Sequence, residues 1–408
     1  MYASGPTTVW LRPPRLRRLA EEEEDRHATA YELFFDLVFV AAVSQVATAL
    51  SHQLTVTGFL RFAALFIPIA WAWAGFTFYA NRFDSDDVVY RLVQAVAMLA
   101  IAALAISVHS VMRGEDSAAF ALSYAVTRGC LLALYARARR HANVADRRPI
   151  DLYLFAFSCG LLLWLISIAV PVPERYWLWG FSLAIELSTP VFGWRALGPA
   201  AVNVSHITER YGGFFIIVLG ESVVAVVAGT ADSTFTFTSS AVAVGGFVIA
   251  LCLWWIYFDL ADTSVVGRGS LGLIYVYSHF PLLGGVAALA AGVKVAITQA
   301  DAGSLASGAR WAICAGLACY LLSLALVHLA AEWSSSRDRA FLGRLATTTF
   351  VVLLAAMGGG LHPVVFIGLL AAALLAQLVL ELLTPQVGAA SVWTPEVSVV
   401  APEELPVT

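Results

Sequence analysis

The sequence predicts an all-α integral membrane protein with about twelve transmembrane helices, and three observations lead there. Of its 408 residues, 60% are hydrophobic and 13% charged, against roughly half and a quarter in an ordinary soluble domain. The apolar residues gather in runs of about 20, the length that crosses a hydrocarbon core as a helix. Those runs do not alternate polar with apolar, which excludes a membrane β-barrel. Because backbone groups in lipid must be satisfied within their own segment, the runs are helices.

Taken in order, the first six runs lie near residues 31–50, 59–80, 88–109, 118–136, 151–170 and 175–195. The second six lie near 210–229, 240–260, 271–296, 308–330, 340–358 and 362–383. With the N-terminus inside, eighteen of the 24 basic residues fall on the inner side, five on the outer side, and Arg128 lies mid-span. Such a bias supports twelve spans with both termini in the cytoplasm; the expected location is the plasma membrane. Residues 1–30 read as a cytoplasmic arm: a basic run, then Glu21 to Asp25, with no apolar stretch that would make a cleavable signal. Residues 384–408, with Pro385, Pro395, Glu396, Glu403 and Glu404, read as a disordered cytoplasmic tail.

Between the tails, residues 31–195 and 196–383 form two six-helix halves. Laying 31–49 over 211–229 matches Tyr31 with Tyr211, Phe34 with Phe214, Phe35 with Phe215, and Val38, Val43 and Val46 with Val218, Val223 and Val226. An even number of spans between them preserves orientation, so the halves would be parallel repeats. Neither half carries a soluble domain for a nucleotide or nucleic acid. The five cysteines all fall inside apolar runs, where they behave as small hydrophobes, and no metal or cofactor motif is present.

Charge inside the spans is the main functional signal. Glu186 lies eleven residues after Arg175 and Glu221 eleven after Arg210, so each sits roughly 16 Å from a membrane surface at the rise of an α-helix. Arg128, nine residues before Arg137, reaches roughly 13 Å from the inner face. One cation and two carboxylates at similar depth leave one acid unmatched, able to exchange a proton or hold a cation. The plainer alternative is a structural bridge between Arg128 and one glutamate, with the other glutamate protonated and hydrogen-bonded. Ser222, beside Glu221, is either a packing hydroxyl or a ligand oxygen.

A second group gathers toward the cytoplasmic side: Glu32, Asp36, Arg91, His206, Glu209, Asp259 and His279. Histidine and carboxylates there can gate access to the midplane or relay protons to it. Glu209 and Arg210 sit at the start of a span, where charges close helix ends at little cost. Asp36 and His279 lie more than one turn inside their runs. Pro190, Gly193, Pro281, Gly284 and Gly285 interrupt the sixth and ninth runs, as kinks or as places where free carbonyls line a cavity.

The string HATAYELFFDLVFVAAVSQVA, with HITERYGGFFIIVLGESVVAV at 206–226 and LWWIYFD at 253–259, resembles the bacterial low temperature requirement protein A family. NRFDSDD at 81–87 with Arg91, and SHFPLLGG at 278–285, carry the same resemblance, which covers most of residues 26–383. It implies an integral membrane protein associated with growth in the cold and leaves the biochemical activity open.

From the residues, the leading expectation is a transporter or ion permease in the lipid bilayer, acting on an unknown small solute, proton or cation, with no cofactor, no metal and no nucleic-acid partner. Its midplane coupling site would be Arg128, Glu186, Glu221 and Ser222. Two other readings stay open: a membrane-embedded enzyme using Asp36, His206 or His279 as general acid or base on a hydrophobic substrate, and a non-transporting sensor or scaffold. Oligomeric state is not specified by these features.

Overall fold

In the computed structural model, residues 12–17, 27–197, 203–260, 271–330 and 339–384 are described. The acidic run at 21–25, the tail beyond residue 384, and Arg18, Arg26, Arg268 and Arg337 lie outside the described residues.

Twelve α-helices fill the described chain. The first six are α1 (Ala30–Ser51), α2 (Val56–Arg82), α3 (Val88–Met112), α4 (Ala118–His141), α5 (Val144–Ile168) and α6 (Glu174–Leu197). The second six are α7 (Val204–Ala231), α8 (Phe237–Leu260), α9 (Gly272–Thr298), α10 (Ser307–Ala330), α11 (Arg339–Met357) and α12 (Pro363–Leu382). Eleven are long and apolar enough to cross a membrane. The twelfth, α6, is as long but carries Glu174, Arg175, Glu186 and Arg195. Large apolar side chains on the outer faces, such as Leu99, Ile106, Phe155 and Phe181, are exposed and so suit lipid rather than water.

Several helices begin where the sequence supplies an acceptor for their free N–H groups. Thr29 and Glu32 form a reciprocal capping box on α1. Thr55, Asp87 and Asn203 cap α2, α3 and α7 through their side chains. The helices outrun the apolar stretches because polar ends still propagate: α4 continues through Arg137, Arg139 and Arg140 to His141. Pro190 and Pro281 do not end their helices, since α6 and α9 run through them.

In the first half α1 packs on α2 and α3, α3 on α4, α4 on α5, and α5 on α6; in the second half α7 packs on α8 and α9, α9 on α10, α10 on α11, and α11 on α12. α8 also packs on α12, a contact that α2 and α6 do not repeat. The two sets meet where α1 and α2 lie against α7 and α9. Glycines permit the closest crossing, between α9 and α10: a Cβ added at Gly316 would stand 2.3 Å from the carbonyl oxygen of Gly285.

A short antiparallel pairing, β1 (Arg15–Leu16) with β2 (Phe83–Asp84), ties the N-terminal arm to the turn after α2. Arg137 secures it, donating to the Arg12 carbonyl at 2.7 Å and to Asp87 at 2.6 Å and 2.9 Å. Burial works to raise the Asp87 carboxyl, but the Arg137 hydrogen bonds, the Tyr90 N–H and the Arg137 charge outweigh it and hold that group below its usual range.

Candidate functional site

The main site forms where the two halves meet. Glu32 and Asp36 stand one turn apart on α1, and His206 and Arg210 stand one turn apart on α7, so each pair shares a helix face. The faces oppose each other. The Arg210 guanidinium spans both acids, with Nη1 3.2 Å from Glu32 Oε1 and Nη2 against Asp36 Oδ1. Trp73 on α2 donates its indole N–H to the same Asp36 oxygen at 2.7 Å. All of this is buried: Asp36 is 0% exposed, Arg210 2% and Glu32 3%. Asp36 lies six residues inside α1, about 9 Å along its axis from the end that carries the arm.

Hydrogen-bond logic fixes the state of His206. The Asn81 amide donates to the Asn203 carbonyl at 2.9 Å and accepts from the Asn203 N–H at 3.3 Å, which orients its NH₂ toward His206 Nδ1 at 3.2 Å. Nδ1 is therefore an acceptor, and Nε2 carries the proton toward Glu32 Oε1 at 3.2 Å. A neutral imidazole adds no charge, so among the described contacts two carboxylates face one guanidinium. Asp36 Oδ2 and Arg210 Nε are buried without hydrogen-bond partners. A carboxylate oxygen left bare in this way can accept a proton or a cation.

A second buried pair lies deeper. Arg128 Nη2 on α4 stands 2.5 Å from Glu186 Oε2 on α6, both side chains 0% exposed. Tyr124 OH donates to Glu186 at 3.1 Å while accepting from Arg128 Nε at 2.9 Å, and Trp71 Nε1 donates to Glu186 at 3.0 Å. The guanidinium also lies over the rings of Tyr124 and Phe157, each 5.2 Å away, which adds cation–π attraction. Charge balances within this pair. Glu186 Oε1 lacks a hydrogen-bond partner and faces Gly160, where an added Cβ would stand 2.5 Å from it.

Glu221 does not join that pair. It is half-buried on α7, and among the described residues it forms no ion pair. Ser222 is buried with an unpartnered hydroxyl. The two glutamates expected beside Arg128 thus separate: Glu186 pairs with it and Glu221 does not. Arg210 was expected at an interfacial helix end, and it is instead fully enclosed because α1 supplies two carboxylates to receive it.

The seven residues of the cytoplasmic-side group separate. Glu32, Asp36 and His206 come together. His279 lies one aromatic layer away: the Tyr211 ring is 4.8 Å from Trp73 and 4.9 Å from the His279 ring. Its Nδ1–H donates to the Tyr275 carbonyl at 2.6 Å and its Nε2 accepts from Tyr257 OH at 2.8 Å, so both ring nitrogens are committed. Arg91 is exposed and pairs with Asp86, while Glu209 accepts from the Ala28 N–H and stands 3.5 Å from His27. Asp259 is exposed at the end of α8.

Sequence reasoning counted Arg344 only among the inner-side basic residues and passed over Glu381. They form a buried bidentate pair between α11 and α12 at 2.8 Å and 2.6 Å, with Gln377 donating to Glu381 at 2.6 Å. Glu381 sits at the end of the last apolar run, where only its partner's burial distinguishes it from an interfacial charge.

Comparison with known proteins agrees with this architecture. The sequence model described as bacterial low temperature requirement A protein matches residues 27–392. The chain is 28% identical to an uncharacterized protein of Rhizobium meliloti (strain 1021) over 304 residues, 70% of this chain and 71% of that one. No solved structure matches it. A family match across nearly the whole helical region, including both buried networks, means that the chain belongs to the bacterial low temperature requirement A family.

Proposed function

We propose that this protein is a transporter or ion permease whose coupling group is the acid cluster of Glu32, Asp36, His206 and Arg210. The supporting observation is two carboxylates held around one guanidinium, with Asp36 Oδ2 buried and bare. A structural salt bridge needs only one acid per cation. A second acid leaves a surplus charge in a sealed, low-dielectric place, where a proton or cation is the natural counterpart.

Position supports the same reading. The cluster joins α1 and α2 of one half to α7 of the other, where relative motion of the halves would open it to one side or the other. As it stands the cluster is closed: Thr29 caps Glu32, and Asn81 locks Asn203 to His206. When Asp36 takes up a proton, the Arg210 bridge weakens and the α1–α7 contact loosens. When the proton leaves, the bridge draws the helices together again.

Proteoliposomes carrying a pH-sensitive dye test this under an imposed pH gradient with potassium or sodium as counter-cation. Wild-type protein is expected to dissipate the gradient faster than empty vesicles, and Asp36→Asn to return it to that background. Wild-type vesicles no faster than empty ones with either cation would overturn the proposal.

A further inference from the structure

The bare oxygen of Asp36 on α1 is one of three. Thr77 Oγ1 on α2 and Gln94 Oε1 on α3 are also buried without hydrogen-bond partners, and the three side chains are sealed, Asp36 and Thr77 at 0% exposure and Gln94 at 2%. Helix register brings them together. On α2, Thr77 stands one turn from Trp73 and one turn from Asn81, so all three share a face. Trp73 reaches Asp36, and Asn81 reaches His206, whose other ring nitrogen faces Glu32, so Thr77 lies between the two levels of the acid cluster. On α3, Gln94 donates its amide N–H to Tyr90 OH at 2.7 Å, which leaves the carbonyl oxygen as its bare end. Tyr90 lies within electrostatic reach of Arg210. Tyr31 OH donates to the Arg91 carbonyl at 2.7 Å and sets α3 beside α1; counting inward from that bond, Gln94 and Asp36 stand within about one turn of the same depth.

One carboxylate, one hydroxyl and one amide oxygen make a hard, all-oxygen donor set, which suits a cation without its water. Its charge is set by the surroundings. Among the described residues no three His, Cys, Asp or Glu side chains gather as metal ligands, whereas a single added positive charge would balance the two carboxylates that face Arg210. Arg210 already holds Oδ1 of Asp36, so the cation takes Oδ2. We propose that Asp36 Oδ2, Thr77 Oγ1 and Gln94 Oε1 form a binding site for a monovalent alkali cation. The inference rests on the reading of this cluster as a coupling group and names its ion.

Isothermal titration calorimetry of the purified protein in detergent tests it, with sodium chloride and then potassium chloride titrated into choline chloride at equal ionic strength. Wild-type protein should bind at least one of the two cations saturably. Thr77→Val and Gln94→Leu keep the side-chain volume and remove one oxygen each, so each should bind about tenfold more weakly or worse, while Thr77→Ser, which keeps its oxygen, and Thr349→Val, on the exposed face of α11, should bind as wild type does. Wild-type protein that binds neither cation, or Thr77→Val and Gln94→Leu binding as tightly as wild type, would overturn the proposal. The gradient experiment above separates this failure from the failure of the coupling cluster. Wild-type protein that binds no alkali cation yet dissipates the pH gradient leaves the cluster standing with the proton as its ion; protein that does neither removes both. If neither oxygen-deleted variant folds, thermal unfolding of wild-type protein decides: a midpoint raised in sodium or potassium chloride over choline chloride supports the site, and an unmoved midpoint refutes it.

Discussion

A carboxylate has two oxygens, and those of Asp36 are unequally served. Oδ1 takes both the Trp73 indole and the Arg210 guanidinium, and Oδ2 takes nothing. Glu381, by contrast, has both oxygens bonded by Arg344 and reads as a clamp. Arg128 and Glu186 balance each other in the same low dielectric, so removing one partner should be costly: Arg128→Met is expected to destabilise by about 3–5 kcal/mol, because Glu186 then stays buried alone. Adding Glu186→Leu should restore most of that loss. Thermal unfolding in detergent measures both, and a single variant as stable as wild type would contradict the pairing. Arg128 and Glu186 were legible because an ionisable residue stands out in an apolar run. Arg210 was not, since its partner Asp36 lies 174 positions away in the chain and only the fold brings them together.

Helices were legible to within a turn or two, because length and hydropathy decide them. Their contacts were less so: the interruptions expected at Pro190 and Pro281 are absorbed within α6 and α9, and the tightest crossing comes from Gly285 against Gly316. Gly316→Leu would drive a side chain into the Gly285 backbone and is expected to cost about 1–3 kcal/mol or more, whereas Gly129→Ala, with open space at its Cβ, should be nearly neutral. Thermal unfolding of the pair separates packing from helix propensity. At the arm, the carboxyl of Asp87 sits below its usual range in the folded protein, so its stabilisation is present above about pH 4, the ordinary aspartate value, and is lost as pH falls through the lowered one. Hydrogen exchange of residues 12–17 reads this directly. Asp87→Asn should speed exchange about five- to thirtyfold at neutral pH, as a loss of 1–2 kcal/mol implies, and should match wild type once the acid is protonated. An arm equally protected in both at neutral pH would contradict the Arg137 to Asp87 anchor.

Across the whole molecule, helices of the first six meet helices of the second six at α1, α2, α7 and α9. The match of residues 31–49 to 211–229 likened α1 to α7, yet it could not show that they would face each other with two acids on one and a guanidinium on the other. That asymmetry makes the meeting point polar: Asp36 corresponds to Ile216, and Arg210 to Ala30. The account rests on a proton or cation exchanging at this meeting point. Charge displacement on a solid-supported membrane after a rapid pH step, with no solute added, tests it most directly. Wild-type protein and Glu115→Gln, at an exposed acid, should give a transient current, and Asp36→Asn none; a transient of unchanged size in Asp36→Asn would contradict the assignment of the coupling group.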